Sequence, residues 1–262
     1  MFRQHKIGAV IPAFNVEDHL KHTIEELPDF IDKIYVVDDG STDNTACLIQ
    51  NISSRLCLIR HGTNKGPGAA MTTGYRAAMR DKMDILVKLD GDGQMRSESI
   101  QNLVTPIIEK KADYTKGDRI SSSEFRRTMP RFRLLGNFVL TYLTRVASGY
   151  WHINDTQNGF VAISRQALEN IDIDTLYPYY GYLNDILTRL NVAGFKVQDV
   201  TMPAKYGSEK SSIRLVIYVP KVSLFLLSCF LWRLRAKYLR FNGKLHLSME
   251  RTPQLPEKSV EE

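Results

Sequence analysis

Four short apolar runs, each ended by a polar cluster and followed by a helical pattern, restrict this chain to one architecture. Ile7 to Pro12, Lys33 to Val37, Leu56 to Ile59 and Asp84 to Leu89 read as buried strands. Helical patterns follow over Val16 to Leu27, from Thr42 or Asp43 to about Ile52, up to Met79, and over Glu98 to Lys110. Asp113 to Lys116 is a fifth, short strand. Asn15 is expected to cap the first helix, with Glu17 and Asp18 in its first turn. Strands alternating with helices through short connections predict a parallel, doubly wound sheet. The clusters at 12–17, 38–41, 64–68 and 90–94 all follow strands, so they gather on one sheet edge. Open α/β sheets bind their ligands there.

The sharpest cluster is Asp90-Gly91-Asp92-Gly93-Gln94. Positions i and i+2 of an extended segment point the same way, so Asp90 and Asp92 can face one point. Two carboxylates that close repel unless a cation lies between them. A hard divalent ion, Mg²⁺ or Mn²⁺, suits such an oxygen site and often shares it with substrate phosphates. Taken alone, Asp-Gly is also a common turn. Four polar loops on one edge are harder to explain as solvated turns.

The other loops have tasks that fit. Asp39 can accept hydrogen bonds from a nucleobase or ribose, whereas Asp43 reads as a turn and cap residue. In Asn64-Lys65-Gly66-Pro67-Gly68, backbone N–H groups at a helix start can meet a phosphate or base; close packing of small residues against the sheet is the equal alternative. Neither a P-loop nor a G-x-G-x-x-G fingerprint is present.

With 262 residues, 43% of them hydrophobic, the chain can bury one large core. Its formal charge of +6 and pI of about 9.1 are mildly basic, and no nucleic-acid partner is expected. The three cysteines have no metal spacing and fit a reducing compartment. Met1 to Lys6 is a short polar lead into a strand, not the pattern of a secretory signal.

P-A-F-N, V-V-D-D-G-S-T-D, N-K-G-x-G-x-A and D-G-D-G-Q, in this order, resemble the family 2 glycosyltransferases of GT-A fold. The resemblance is close over 7 to about 120 and looser to about 215. It implies inverting transfer from a nucleotide-diphosphate sugar with a divalent metal. Pro12, Ala13, Asn15, Glu17 and Asp39 would lie around the nucleoside, with Lys65 and Gly66 beside them. Asp90, Gly91 and Asp92 would hold nucleotide and metal, and Gln94 matches a further metal-side ligand in the polyprenyl-phosphate branch.

In the second half, Arg119 of Lys116-Gly117-Asp118-Arg119 can neutralise phosphate through a bidentate contact, or pair with Asp118 at the surface. Arg131 to Arg145 reads as a helix, either of the core or lying in a membrane interface. Asp155-Thr156-Gln157-Asn158-Gly159-Phe160 resembles the D-T-Q-x-G-F form of lipid-phosphate glucosyltransferases. Asp155 is the candidate general base for a hydroxyl acceptor; a phosphate acceptor needs none, and Asp155 would then position groups. Asp185, on a helix over Tyr182 to Val192, is the rival base. A strand over Phe195 to Val200 precedes Pro203 to Ser212, which resembles a P-x-R-Y-G-x-E-x-S loop; there Lys205, Tyr206 and Ser211 would close over the diphosphate.

From Lys205 to Arg240 there are eight Lys/Arg and one acid, Glu209, around an apolar stretch that Pro220 and Lys221 interrupt. Such a segment fits shallow insertion into an anionic leaflet; a core helix, or one pairing two copies in a homo-oligomer, is the alternative.

The expectation is therefore an α/β, Rossmann-like GT-A catalytic domain over 1–212, with a mainly parallel sheet flanked by helices. Basic helices at the membrane interface follow over 213–247, then a disordered tail over 248–262. The activity expected is transfer of one sugar from a UDP- or GDP-sugar to a polyprenyl-linked acceptor, with the protein peripheral on the cytoplasmic face of the membrane. A sugar-phosphate nucleotidyltransferase and a non-catalytic membrane-bound scaffold are the competing classes.

Overall fold

A seven-stranded mixed sheet, ordered β3-β2-β1-β4-β6-β5-β7, forms the centre of the computed structural model, which describes residues 1–50, 52–93, 95, 97–121, 131–202 and 215–238. The strands are β1 (Ile7–Ala13), β2 (Lys33–Asp38), β3 (Leu56–Arg60), β4 (Ile85–Lys88), β5 (Tyr114–Asp118), β6 (Val161–Ser164) and β7 (Val197–Thr201). β3, β2, β1 and β4 pair in parallel, as do β5 and β7. β6 runs antiparallel to both β4 and β5. The expected mainly parallel α/β sheet is therefore present, with one reversed strand where the chain returns through the loop 154–160.

The helices are α1 (Glu17–Glu25), α2 (Thr45–Leu48), α3 (Pro67–Arg80), α4 (Ile100–Ile108), α5 (Arg131–Ser148), α6 (Arg165–Asn170), α7 (Tyr182–Ala193) and α8 (Leu215–Tyr238). β1 reads as a continuous apolar run because both of its faces are covered. Val10 packs with Met71 and Tyr75 of α3 in one core cluster. Its neighbours Ala9 and Ile11 belong to the opposite cluster, with Leu20 and Ile24 of α1 and Leu103 of α4. The strand's two-residue period directs these side chains to opposite faces.

One local reading changes. Asn15 does not cap α1: its φ is +50°, and its side-chain oxygen accepts from the Thr42 N–H at 2.9 Å. Asp43 is the expected turn and cap residue, accepting from the Thr45 N–H at 2.9 Å, and it also accepts from the Glu17 N–H of α1 at 3.2 Å. α8 runs from Leu215 to Tyr238 with Pro220 inside it.

α8 packs against α5 and α7. Val222, Phe225, Leu226 and Cys229 form a cluster with Leu140 and Ala147 of α5. Arg233 donates to the Val146 and Ala147 carbonyls at 2.9 and 2.8 Å, satisfying C-terminal acceptors of α5. Among the described residues, no helix is long and apolar enough to cross a membrane.

Candidate active site

The register of β1 against β2 sets Ala13 beside Asp38, and the Asp39 N–H donates to the Ala13 carbonyl at 2.8 Å. Pro12, Ala13 and Asp39 thus come together at the carboxyl edge of the sheet. Asn15 and Glu17 join them by holding the next loop. Ser41 Oγ accepts from the Asn15 N–H at 3.0 Å, and Glu17 accepts from the Asn44 N–H at 2.8 Å.

Asp39 is almost fully buried. Its carboxylate accepts from the Lys65 N–H at 3.0 Å and the Gly66 N–H at 2.7 Å, and it lies 2.6 Å from His61 Nδ1. The Gly68 and Ala69 N–H groups donate to the Pro178 carbonyl. In this conformation, then, the donors at the start of α3 serve Asp39 and Pro178, not an open anion site. Gly68 is required by packing, because a side chain there would overlap the Tyr177 carbonyl oxygen. His61, whose Nε2 lies 3.0 Å from Thr73 Oγ1, was not singled out from sequence.

At the end of β4, the Asp90 side chain is 40% exposed, in keeping with a ligand-facing role. It is paired with Lys88, two residues earlier on the same strand face and almost fully buried. Lys88 was also overlooked, although a lysine closing an apolar run two residues before Asp90 was the available signal. Asp92 lies in the following turn. Gln94 and Lys205 fall outside the described residues, as does the loop from Tyr206 to Ser211.

The two carboxylates of Asp90 and Asp92 match what a hard divalent ion takes from a protein when substrate phosphates and water supply its other oxygens. Among the described residues no group of three or more His, Cys, Asp or Glu forms an all-protein cage.

The second half of the site lies across β6. Asp155 is fully buried, and its carboxylate accepts from Arg119 three times: from Nε at 2.7 Å, from Nη2 at 3.2 Å and from the backbone N–H at 3.3 Å. Arg119 therefore pairs with Asp155, not with Asp118. Asp118 instead accepts from the Ser121 N–H and hydroxyl and from Asn154 Nδ2.

Asp185 occupies a different environment. It is buried on α7, its carboxylate is held by Arg189 at 2.9 and 3.2 Å, and it accepts from the Tyr177 N–H at 3.0 Å. These bonds tie the Tyr177 segment to α7.

Between Asp155 and Asp90 runs a short link. Asn158 brackets Gly117, donating to its carbonyl at 2.8 Å, while Lys116 donates to the Asn158 carbonyl. A methyl group on Gly159 would overlap Lys88 Nζ and lie 3.0 Å from Asp90 Oδ2. The loop carrying Asp155 thus rests directly on the Lys88–Asp90 pair. A cavity of about 380 Å³ opens beside it, lined by Ile120, Ser121, Phe138, Thr141, Tyr142, Arg145 and Asn154.

Comparison with known proteins bears on the family and the fold. The family described as Glycosyl transferase family 2 matches residues 9–172, more than half of the chain. The UDP-N-acetylglucosamine–dolichyl-phosphate N-acetylglucosaminyltransferase of Methanococcus voltae is 33% identical over 179 residues, 62% of this chain and 71% of that one. The polyprenol monophosphomannose synthase of Mycolicibacterium smegmatis is 27% identical over 73% of this chain and 74% of its own. In fold, glucosyl-3-phosphoglycerate synthase from Mycobacterium tuberculosis, crystallised with Mn²⁺, UDP and phosphoglyceric acid, superposes with a TM-score of 0.65 at 18% identity. That match covers 88% of this chain and 78% of that structure. These matches displace the nucleotidyltransferase and scaffold readings. The sheet with its one reversed strand, the aspartate pair ending β4 and the family match lead to one conclusion: the chain belongs to glycosyl transferase family 2 and is a glycosyltransferase.

Proposed function

We propose that the chain moves one sugar, with inversion, from a UDP-sugar to a polyprenyl phosphate. The observation that carries this is the Asp155–Arg119 pair. A hydroxyl acceptor needs a carboxylate ready to take its proton. Here the carboxylate on the acceptor side is fully buried and bound to a guanidinium through two side-chain nitrogens. A phosphate acceptor is already an anion, so it needs charge and orientation instead of a base. The relatives named for dolichyl-phosphate and polyprenol substrates support the same choice.

In this reading Pro12, Ala13, Asn15, Glu17 and Asp39 surround the nucleoside, with Lys65 and Gly66 holding Asp39 in place. Asp90 and Asp92, with Gln94, would hold Mg²⁺ or Mn²⁺, and Gly91 keeps the turn between the aspartates small. The ion's chemistry is to neutralise charge developing on the leaving diphosphate. Lys88 pairs with Asp90 at the end of β4, and Lys205 is the further basic residue assigned to the donor diphosphate. Arg119 presents its guanidinium to the acceptor phosphate, Asp155 fixes that guanidinium, and Asp185 serves the fold.

The surface fits a lipid-borne acceptor on the cytoplasmic face of a membrane. Residues 125–154 and 210–249, the stretches that contain α5 and α8, hold no Asp or Glu. Both helices expose large apolar side chains: Phe138 and Tyr142 on α5, and Leu224, Leu227 and Leu231 on α8. Trp151, also exposed, packs edge-on against Tyr142. Apolar side chains beside uncompensated positive charge suit an anionic bilayer surface.

Release of UDP from a panel of UDP-sugars, with Mg²⁺ or Mn²⁺ and with or without polyprenyl phosphate, tests the proposal. Lipid-stimulated release is expected. Turnover with a glycan acceptor and none with the lipid phosphate would overturn it.

A further inference from the structure

We propose that Lys116 is a positioning residue of the transfer reaction: it supplies a counter-charge to Asp155 when Arg119 turns toward an incoming phosphate. This rests on the phosphate-acceptor reading above.

Lys116 lies on β5 with no solvent exposure. An isolated ammonium in such a place is costly, so its neighbours define its purpose. Its Nζ donates to the Asn158 carbonyl, in the loop that carries Asp155. Asp155 from that loop and Asp199 from β7 favour its charge; Arg119 at the end of β5 and Lys88 from β4 oppose it. Burial outweighs these and brings the lysine down to about 7. Asp199 is pushed up to about 6, chiefly by burial, with the Asp118 and Asp155 charges adding to it against Lys116 and the Asn154 N–H. Asp199 Oδ2 accepts from that N–H at 2.6 Å, while Oδ1 is buried without a hydrogen-bond partner. The cluster thus holds an unfilled acceptor and a proton-poor lysine side by side.

Asp155 therefore has two basic residues near it, one bonded to its carboxylate and one reaching the loop that carries it. Arg119 is the outer one, with its side chain 32% exposed, and Lys116 is the inner one, sealed from water. A phosphate arriving from solvent meets Arg119 first. As the guanidinium shares its N–H groups with that phosphate, Asp155 loses part of its compensation. The added negative charge raises the proton affinity of Lys116. Lys116 takes up a proton, and Asp155 keeps its place without holding Arg119 back. Acceptor binding above neutral pH is then accompanied by proton uptake.

The test is calorimetric titration of the full-length protein with farnesyl phosphate, a soluble isoprenoid phosphate monoester, at pH 8. Running it in two buffers of different ionisation enthalpy counts the protons exchanged. The wild-type protein is expected to take up protons. Lys116→Met is expected to bind about tenfold more weakly, equivalent to one pK unit of lost charge interaction, and without uptake. Wild-type affinity and uptake in Lys116→Met would overturn the inference. Should that variant fail to melt cooperatively, Asp199→Asn decides. It preserves the acceptor for the Asn154 N–H but removes a charge that supports protonation of Lys116, so uptake must fall; unchanged uptake would equally overturn the inference. No binding of farnesyl phosphate to the wild-type protein overturns the acceptor reading, and this one with it.

Discussion

Replacing Asp155 by Asn separates a positioning carboxylate from a catalytic base. The native carboxylate receives Nε and Nη2 of Arg119 at 2.7 and 3.2 Å from a fully buried position. Asparagine keeps one acceptor oxygen and turns an N–H₂ group toward the guanidinium. Losing one or two charge-assisted bonds at ~1.5–3 kcal/mol each would cost several kcal/mol if Arg119 were sealed in. Its side chain is 32% exposed, however, so water recovers part of the loss, and a net cost of about 2 kcal/mol is reasonable. For a chain of this size that lowers Tm by about 4–8 °C. Thermal melts followed by circular dichroism read the first effect. Transfer kinetics read the second: KM for polyprenyl phosphate rises several-fold, while kcat falls less than tenfold, below the ~10²–10⁴ that loss of a general base costs. An unshifted Tm together with a thousandfold fall in kcat would refute the positioning argument and restore Asp155 as a base.

Other outcomes follow from the same geometry. Asp90→Asn is expected to weaken Mn²⁺-dependent UDP binding by at least about tenfold, the loss of roughly one charge-assisted contact; calorimetry showing unchanged binding would remove Asp90 from the donor site. Gly68→Ala drives a methyl group into the Tyr177 carbonyl and should cost about 2–3 kcal/mol, read as a lower urea midpoint. Lys116 is depressed from its ordinary 10.5 to about 7 in the fold. Between those values the unfolded chain binds a proton that the folded chain does not, so this group's contribution to stability grows as pH rises. Urea melts at pH 7 and pH 9.5 should show the wild-type protein gaining stability relative to Lys116→Met; an equal change in both would contradict this. Leu227→Glu with Leu231→Glu should leave Tm unchanged yet reduce sedimentation with vesicles rich in anionic lipid; retained sedimentation would exclude that face from docking.

Much of the sheet was legible because its signals are local. Short apolar runs, each ended by a polar cluster, mark β1 to β4 closely. The antiparallel direction of β6 was not legible: Val161 to Ser164 has the same composition whichever way it runs, and only its pairing with β4 and β5 decides. The capping of α1 failed for a similar reason. Asn15 has the right chemistry for a cap, but Ser41 and Thr42, brought in from the loop after β2, claim its backbone N–H and side-chain oxygen.

The sequence by itself determined that Asp90 and Asp92 end a strand, that polar loops share one sheet edge, and that the chain resembles a sugar-transferring family. Each of these depends on spacing along the chain, which a sequence records directly. Tertiary structure decided what the charged groups do. Asp155 and Arg119 are 36 residues apart, yet they form one pair because β5 and β6 are adjacent. Asp185 is matched to Arg189 one helical turn away, while Lys116 lies sealed beneath the loop 154–160. A carboxylate's chemistry depends on the charge and water around it, and those neighbours come from distant parts of the chain that only the fold brings together.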